Sequence, residues 1–213
     1  MWSFGVFTDG KNNIGFHDIV VKSIHDCGVP EYEILFVTEN THFKRPEPVL
    51  YVDLPLCNHL GQVHCVKKNS FAKIAKYSKL CIIHDYITLD SNFYKAFEKF
   101  GDDWDVCSIP FRSNDGTRWW DWRVEGHPVH GHSLTSYDCP ATQWHFVTGN
   151  LFMVKKDFII RNPMSTIGES EDWEWSNSVK SFWKYKLNKF TGAASLKPKY
   201  ISPEHLKNAN LML

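Results

Sequence analysis

Leu80-Cys81-Ile82-Ile83-His84-Asp85-Tyr86 is a short apolar run that stops on an imidazole and a single carboxylate. A run of this length bounded by polar residues reads as a buried strand, and in open α/β sheets ligands gather just beyond the carboxyl ends of such strands. Asp85 is therefore expected where a metal-phosphate ligand would sit.

Working outward, Phe4-Gly5-Val6-Phe7-Thr8 reads as a first strand ending in Asp9-Gly10, followed by a helix with the stripe Phe16, Val20, Ile24 and Cys27. Gly28 and Pro30 close that helix. Residues 33–37 and 49–52 give two more strands, at the spacing of successive βαβ crossovers. Asn69 is predicted to cap a helix carrying Phe71, Ile74 and Ala75 inward, with Lys67-Lys68-Asn69 at its start, and that helix delivers the chain to Leu80. Beyond it come a helix striped by Phe93, Phe97 and Phe100, a strand over 106–111, and an aperiodic stretch over 113–138 rich in Gly, His and Trp. A strand over 145–154 and a last helix striped by Trp175, Val179, Phe182 and Trp183 complete the pattern. The reading is a single α/β domain over 1–213, with a mixed, mostly parallel central sheet flanked by helices.

Length and charge bound the function. A chain of 213 residues buries roughly 70% of its unfolded surface and needs no disulfide or metal merely to fold. Lys plus Arg and Asp plus Glu are equal at 24 each, so nothing global draws the chain to nucleic acid or an anionic membrane, and any anion site must be local. No basic leader and no membrane-length apolar run is evident, and six cysteines without a C-x-x-C pair read as reduced core thiols. A soluble, cytoplasmic, monomeric protein is expected.

The candidate chemistry is carboxylate and cation chemistry. Asp85 would bind a hard divalent ion, Mn²⁺ or Mg²⁺, bridging diphosphate oxygens and stabilising a departing nucleotide diphosphate. Lys68 and Asn69, read at a helix start, would meet the phosphates, and Thr8 and Asp9 the base or ribose. Glu171-Asp172 crowds carboxylates at a helix start, where Asp172 or Glu171 would take a proton from an acceptor hydroxyl. Arg118-Trp119-Trp120-Asp121-Trp122-Arg123 would form a substrate wall, with indoles over a sugar face and Arg and Asp on hydroxyls or phosphate. Two histidine groups compete. His127, His130 and His132 would surround a transition metal in a hydrolase, and Cys57-Asn58-His59 with His64-Cys65 loosely resembles a zinc knuckle, but neither has a standard structural-zinc spacing.

In combination, Thr8-Asp9, Thr38-Glu39-Asn40, Lys67-Lys68-Asn69, Ile83-His84-Asp85-Tyr86 in place of D-x-D, Asn114 to Arg118, Thr148-Gly149-Asn150 and Glu171-Asp172 follow an order that resembles the GT-A nucleotide-sugar glycosyltransferases. Among these the chain is most similar to the small glycosyltransferase domain that chlorella viruses (chloroviruses) carry at the N-terminus of longer proteins. The resemblance covers residues 4 to about 183. It implies a Rossmann-like GT-A domain, host-cytoplasmic if viral. It further implies a UDP-sugar donor of glucose or rhamnose, a Mn²⁺ or Mg²⁺ ion, and a glycan acceptor, on a viral capsid glycoprotein. By position, Thr8, Asp9, Glu39, Lys68, Asn69 and His84 would face the nucleotide, Asp85 the metal, Gly149 and Asn150 the substrate, and Asp172 the acceptor. The family motif has two acids, whereas His84-Asp85-Tyr86 has one, so a histidine or water would complete the metal shell. A non-catalytic glycan- or nucleotide-binding module is the remaining alternative.

Overall fold

The computed structural model of the chain describes residues 1–54, 59–165 and 171–198. Its elements in chain order are β1 (Trp2–Phe7), a short 3-10 turn (Ile14–Phe16), α1 (His17–Asp26), β2 (Tyr32–Thr38), β3 (Val49–Tyr51), α2 (Leu60–Ile74), β4 (Lys79–His84) and β5 (Ile87–Leu89). There follow α3 (Phe93–Phe100), β6 (Val106–Ser108), β7 (Phe111–Arg112), β8 (Arg123–His127), β9 (Gly131–Leu134) and β10 (His145–Phe146). The last are β11 (Leu151–Lys155), α4 (Lys156–Arg161), α5 (Glu171–Val179), β12 (Tyr185–Leu187) and β13 (Ala193–Ser195).

Seven strands form the central sheet in the order β12-β6-β11-β4-β1-β2-β3. Only β11 runs against its neighbours β4 and β6, which makes the sheet mixed and mostly parallel. The apolar run 80–83 is the reason β4 lies at the centre. Successive side chains point to opposite faces of a strand, so a strand covered on both sides must be apolar throughout. Cys81 and Ile83 join a core with Phe4, Val6, Val20, Ile24 and Phe93, under α1 and α3. Leu80 and Ile82 join a second core with Phe71, Ala72, Phe158 and Trp175, under α2, α4 and α5. Gly5 falls on the second face. A methyl group there would stand 2.8 Å from the Phe71 ring, so glycine is what lets α2 lie against β1.

The helix before β4 corrects the sequence reading. It begins at Leu60 after extended His59, and Lys67, Lys68 and Asn69 sit in its middle. Its inward stripe is Gly61, Cys65, Lys68, Phe71 and Ala72, a 3.6-residue period in which an ammonium occupies a core position. A charge on the apolar face hides that period from a hydropathy reading. The expected strand over 145–154 is two elements in different sheets, separated by a turn in which the Leu151 amide donates to the Thr148 carbonyl at 3.1 Å. The aperiodic stretch 113–138 contains the β8–β9 hairpin, part of a three-stranded sheet ordered β10-β8-β9. The last helix ends at Val179, leaving Phe182 exposed beyond it. Cys27, Cys65, Cys81, Cys107 and Cys139 are free thiols, and burial pushes Cys27 up to about 11 and Cys65 up to about 12.

Candidate functional site

The carboxyl ends of β1, β2 and β4, with the first half of α2, enclose a cavity of about 240 Å³. Thr8 and Asp9 follow β1, Glu39 follows β2, and His84 and Asp85 come from the end of β4. His64 and Lys67 reach in from α2, and Asn13 from the loop after β1. Parallel strands in register deliver these residues together: Phe7 of β1 stands opposite His84 of β4 and Val37 of β2.

Each side chain is held by identifiable bonds. Asp9 accepts from the Lys11 and Asn12 amides at 2.8 Å; burial works to raise its carboxyl, but these bonds hold it below its ordinary value. Asp85 is 3% exposed, accepts from Asn13 Nδ2 at 2.8 Å, and lies 3.3 Å from His17 Nε2. Lys67 Nζ donates to the Thr8 carbonyl at 2.9 Å and pairs with Glu39. His84 Nε2 and His64 Nδ1 are buried without a hydrogen-bond partner among the described residues, and their rings lie 5.4 Å apart. Burial pushes both imidazoles down, His64 to about 4, so both present neutral nitrogen lone pairs at neutral pH.

Lys68 and Asn69 do not line this cavity. Lys68 is fully buried; its Nζ donates to the Gly149 carbonyl at 2.8 Å and to Glu171 Oε1 at 3.0 Å. Asn69 clamps Met164, donating to its carbonyl at 2.9 Å and accepting its amide at 3.0 Å. Mid-helix placement decides both: the inward stripe points at the second core, and Lys67, one residue earlier, turns to the cavity. Lys67 is the residue that sequence reasoning passed over in favour of Lys68.

Glu171 and Asp172 close on the same turn from the other side. Burial would raise the Glu171 carboxyl, but the Lys68 ammonium holds it below its ordinary value. Asp172 Oδ2 accepts the Gly149 amide at 3.1 Å. A Cβ on Gly149 would come 2.5 Å from Glu171 Oε1, so a larger residue there would have to push the Glu171 carboxylate aside. The Asn150 carbonyl accepts the His84 amide at 3.0 Å, and Thr148 Oγ1 donates to the Trp120 carbonyl. The Thr148–Asn150 turn thereby ties the end of β4 to α5 and to the Trp loop.

The expected Trp wall is divided between the core and a cavity. Trp119 packs against Phe111 at 5.0 Å, and Trp122 against His145 at 4.4 Å, both buried. Asp121 is 2% exposed, accepting from the Phe111 amide at 2.7 Å and from Arg118 Nε at 2.8 Å. Only Trp120 lines a second cavity, of about 350 Å³, together with Arg123, Phe146 and Trp173. Arg118, Trp119 and Asp121 thus build the loop from inside.

His127 Nδ1 accepts the Val129 and His130 amides at 3.1 Å, and His132 faces Glu125 at 3.5 Å. Among the described residues no group of three or more His, Cys, Asp or Glu is arranged to hold a metal. Cys57 and Asn58 of the knuckle reading lie outside the described residues. A Mg²⁺- or Mn²⁺-nucleotide site is a different case, since such ions are held by one or two carboxylates and the substrate phosphates, not by a protein cage. Asp85, with lone pairs left after two partners, and unpartnered His84 Nε2 fit that donor set.

No protein-family model matches the sequence, and no curated protein matches it. Solved structures do. GalNAc-T7 with UDP, GalNAc and Mn²⁺ is 13% identical, with a TM-score of 0.66 over 98% of this chain and 47% of that one. TarS of S. aureus in complex with UDP-GlcNAc is 12% identical, with a TM-score of 0.61 over 99% of this chain and 65% of that one. A197 from STIV is 16% identical, with a TM-score of 0.54 over 94% and 86%. The chain spans less than two thirds of the first two. Among the described residues no helix is long and apolar enough to cross a membrane. With its mixed, mostly parallel sheet between helices, the chain has the fold of the GT-A glycosyltransferases.

Proposed function

We propose that the protein is a glycosyltransferase that takes a hexose or deoxyhexose, glucose or rhamnose, from a UDP-sugar and passes it to a glycan acceptor. The observation that carries this reading is the convergence of Thr8, Asp9, Glu39, Lys67, His84 and Asp85 on one cavity at the carboxyl ends of three parallel strands. The resemblance to chlorella-virus domains makes a viral capsid glycoprotein the proposed carrier of the acceptor.

Asp85, with His84, would hold a divalent cation shared with the donor's diphosphate, and that ion supplies Lewis-acid stabilisation of the departing UDP. Lys67 adds a second positive charge in the same cavity, where phosphate oxygens compete with Glu39 for it. Asp9, kept ionised by two amides, accepts hydroxyl donors of ribose. On the acceptor side Asp172 is the proposed base: Glu171 is tied to an enclosed ammonium, and the Asp172 carboxylate stands on the Gly149 turn, where its Oδ2 accepts the Gly149 amide.

Thermal-shift measurement of UDP-, GDP- and dTDP-sugars with and without Mn²⁺ tests donor binding, since a ligand of the native state stabilises it by mass action. A UDP-sugar is expected to raise Tm most, and more with Mn²⁺. Slow hydrolysis of UDP-sugar without acceptor separates an enzyme from a pure binding module. Asp85→Asn, which keeps the shape bonded to Asn13 and His17, is expected to lower turnover by about a hundredfold or more. Turnover unaffected by both Asp85→Asn and EDTA would remove the metal role. No UDP-sugar binding at all would remove the reading.

A further inference from the structure

The second cavity holds a cation that forms no ion pair among the described residues. Arg123 begins β8 and lines a space of about 350 Å³ with Trp120, Phe146 and Trp173. Its guanidinium carbon lies 3.9 Å from the centre of the Phe146 ring and 5.9 Å from that of Trp120. Its Nε is buried without a hydrogen-bond partner, and none of its donors bonds or pairs with a described residue. Arg118 of the same loop, in contrast, bonds Asp121 through Nε and the Thr135 carbonyl through Nη1. Glu125 lines the cavity too, but faces His132 at 3.5 Å and forms no ion pair with Arg123. Asp172 acts on Arg123 only through its field.

A half-buried guanidinium fixed between aromatic faces is costly unless an anion meets it, and its planar fork matches the two oxygens of a carboxylate or phosphate. The exposed indole of Trp173, 40% accessible, and that of Trp120 offer flat apolar faces of the kind that receive sugar rings. The Thr148–Asn150 turn joins this cavity to the first, bonding Trp120 on one side and the end of β4 on the other.

We infer that this cavity binds an acidic sugar unit, its carboxylate or phosphate on Arg123 and its ring on Trp120 and Trp173. On the glycosyl-transfer reading, on which this assignment of the cavity to the acceptor rests, the acceptor glycan is anionic. Glu125 weakens that binding, since its charge opposes the ligand's.

Isothermal titration of the full chain with D-glucuronate, D-glucose 6-phosphate and neutral methyl glucoside tests this without reference to activity. Both acids, or one of them, are expected to bind about tenfold or more tighter than methyl glucoside. Which acid binds better identifies the anion as carboxylate or phosphate. Arg123→Gln is expected to abolish the preference, Arg123→Lys to keep part of it, and Glu125→Gln to strengthen acid binding about threefold. Methyl glucoside binding as tightly as both acids would overturn the inference, as would acid binding unchanged in a folded Arg123→Gln. If Arg123→Gln does not fold, Glu125→Gln decides: stronger acid binding supports the site, unchanged or weaker binding overturns it. A UDP-sugar thermal shift on the same protein separates the two claims. Acid binding without it leaves the site and removes glycosyl transfer, and a shift without acid preference does the reverse.

Discussion

Replacing Lys68 by Met tests whether this ammonium is a structural counter-ion or a ligand group. Lys68 is 0% exposed and its partner Glu171 only 15%, so the substitution leaves a carboxylate largely enclosed and takes a donor from the Gly149 carbonyl. Breaking a buried pair costs about 3–5 kcal/mol, and the solvent still reaching Glu171 places this case near 3 kcal/mol. Glu171→Gln leaves Lys68 with neutral oxygen acceptors and no counter-charge, and is expected to cost about 2 kcal/mol. In the double variant Lys68→Met/Glu171→Gln neither charge is stranded, and the coupling recovered is expected to exceed about 1 kcal/mol. Urea denaturation of the four proteins gives the cycle, with equal m values required for the comparison. The pair also has an acid limb. The Glu171 carboxyl lies below its ordinary value in the folded chain, so the unfolded chain takes up the proton first. The stabilisation is therefore complete above the ordinary carboxylate range and lost as pH falls through the folded value, a limb that Lys68→Met should lack. A Lys68→Met cost below about 1 kcal/mol, or additive single variants, would refute the enclosed pair. Selective loss of UDP-sugar affinity with stability intact would instead restore Lys68 as a nucleotide ligand.

Three further outcomes follow from the packing. Gly5→Ala places a methyl 2.8 Å from Phe71 and should cost about 1–3 kcal/mol by denaturation; a neutral result would mean that α2 moves away freely. Gly149→Ala drives a Cβ to 2.5 Å from Glu171 Oε1 and should lower both Tm and turnover, so unchanged kinetics would detach this turn from the site. His145 is held near 4 by burial, and its Nδ1 accepts the Thr142 amide at 3.1 Å, where a second proton cannot be placed. The unfolded imidazole takes up its proton first, so stability should fall by up to about 3 kcal/mol between pH 6.5 and 4, and a His145→Gln variant should lose that part of the slope.

The frame of the fold is written in local composition. The apolar run 80–83 is long enough for a strand and uniformly apolar because both faces are covered, which forces an α/β sheet with helices on each side. Its polar ending, with Thr8-Asp9 and Glu39 at the ends of neighbouring strands, was legible for the same reason: parallel register brings like ends together. The partner of each charge depends instead on contacts between distant parts of the chain. Lys68 lies on the core-facing stripe of α2, where Glu171, 103 residues away in sequence, neutralises it, and no local periodicity reveals such a pairing. Lys67, one residue earlier, turns to the cavity instead. The Trp loop divides likewise, with Trp119 and Trp122 packed inside and Trp120 left on the surface of a cavity beside Arg123. Spacing along a chain fixes which face of an element a residue occupies, whereas the long-range packing of one element on another fixes what that face meets.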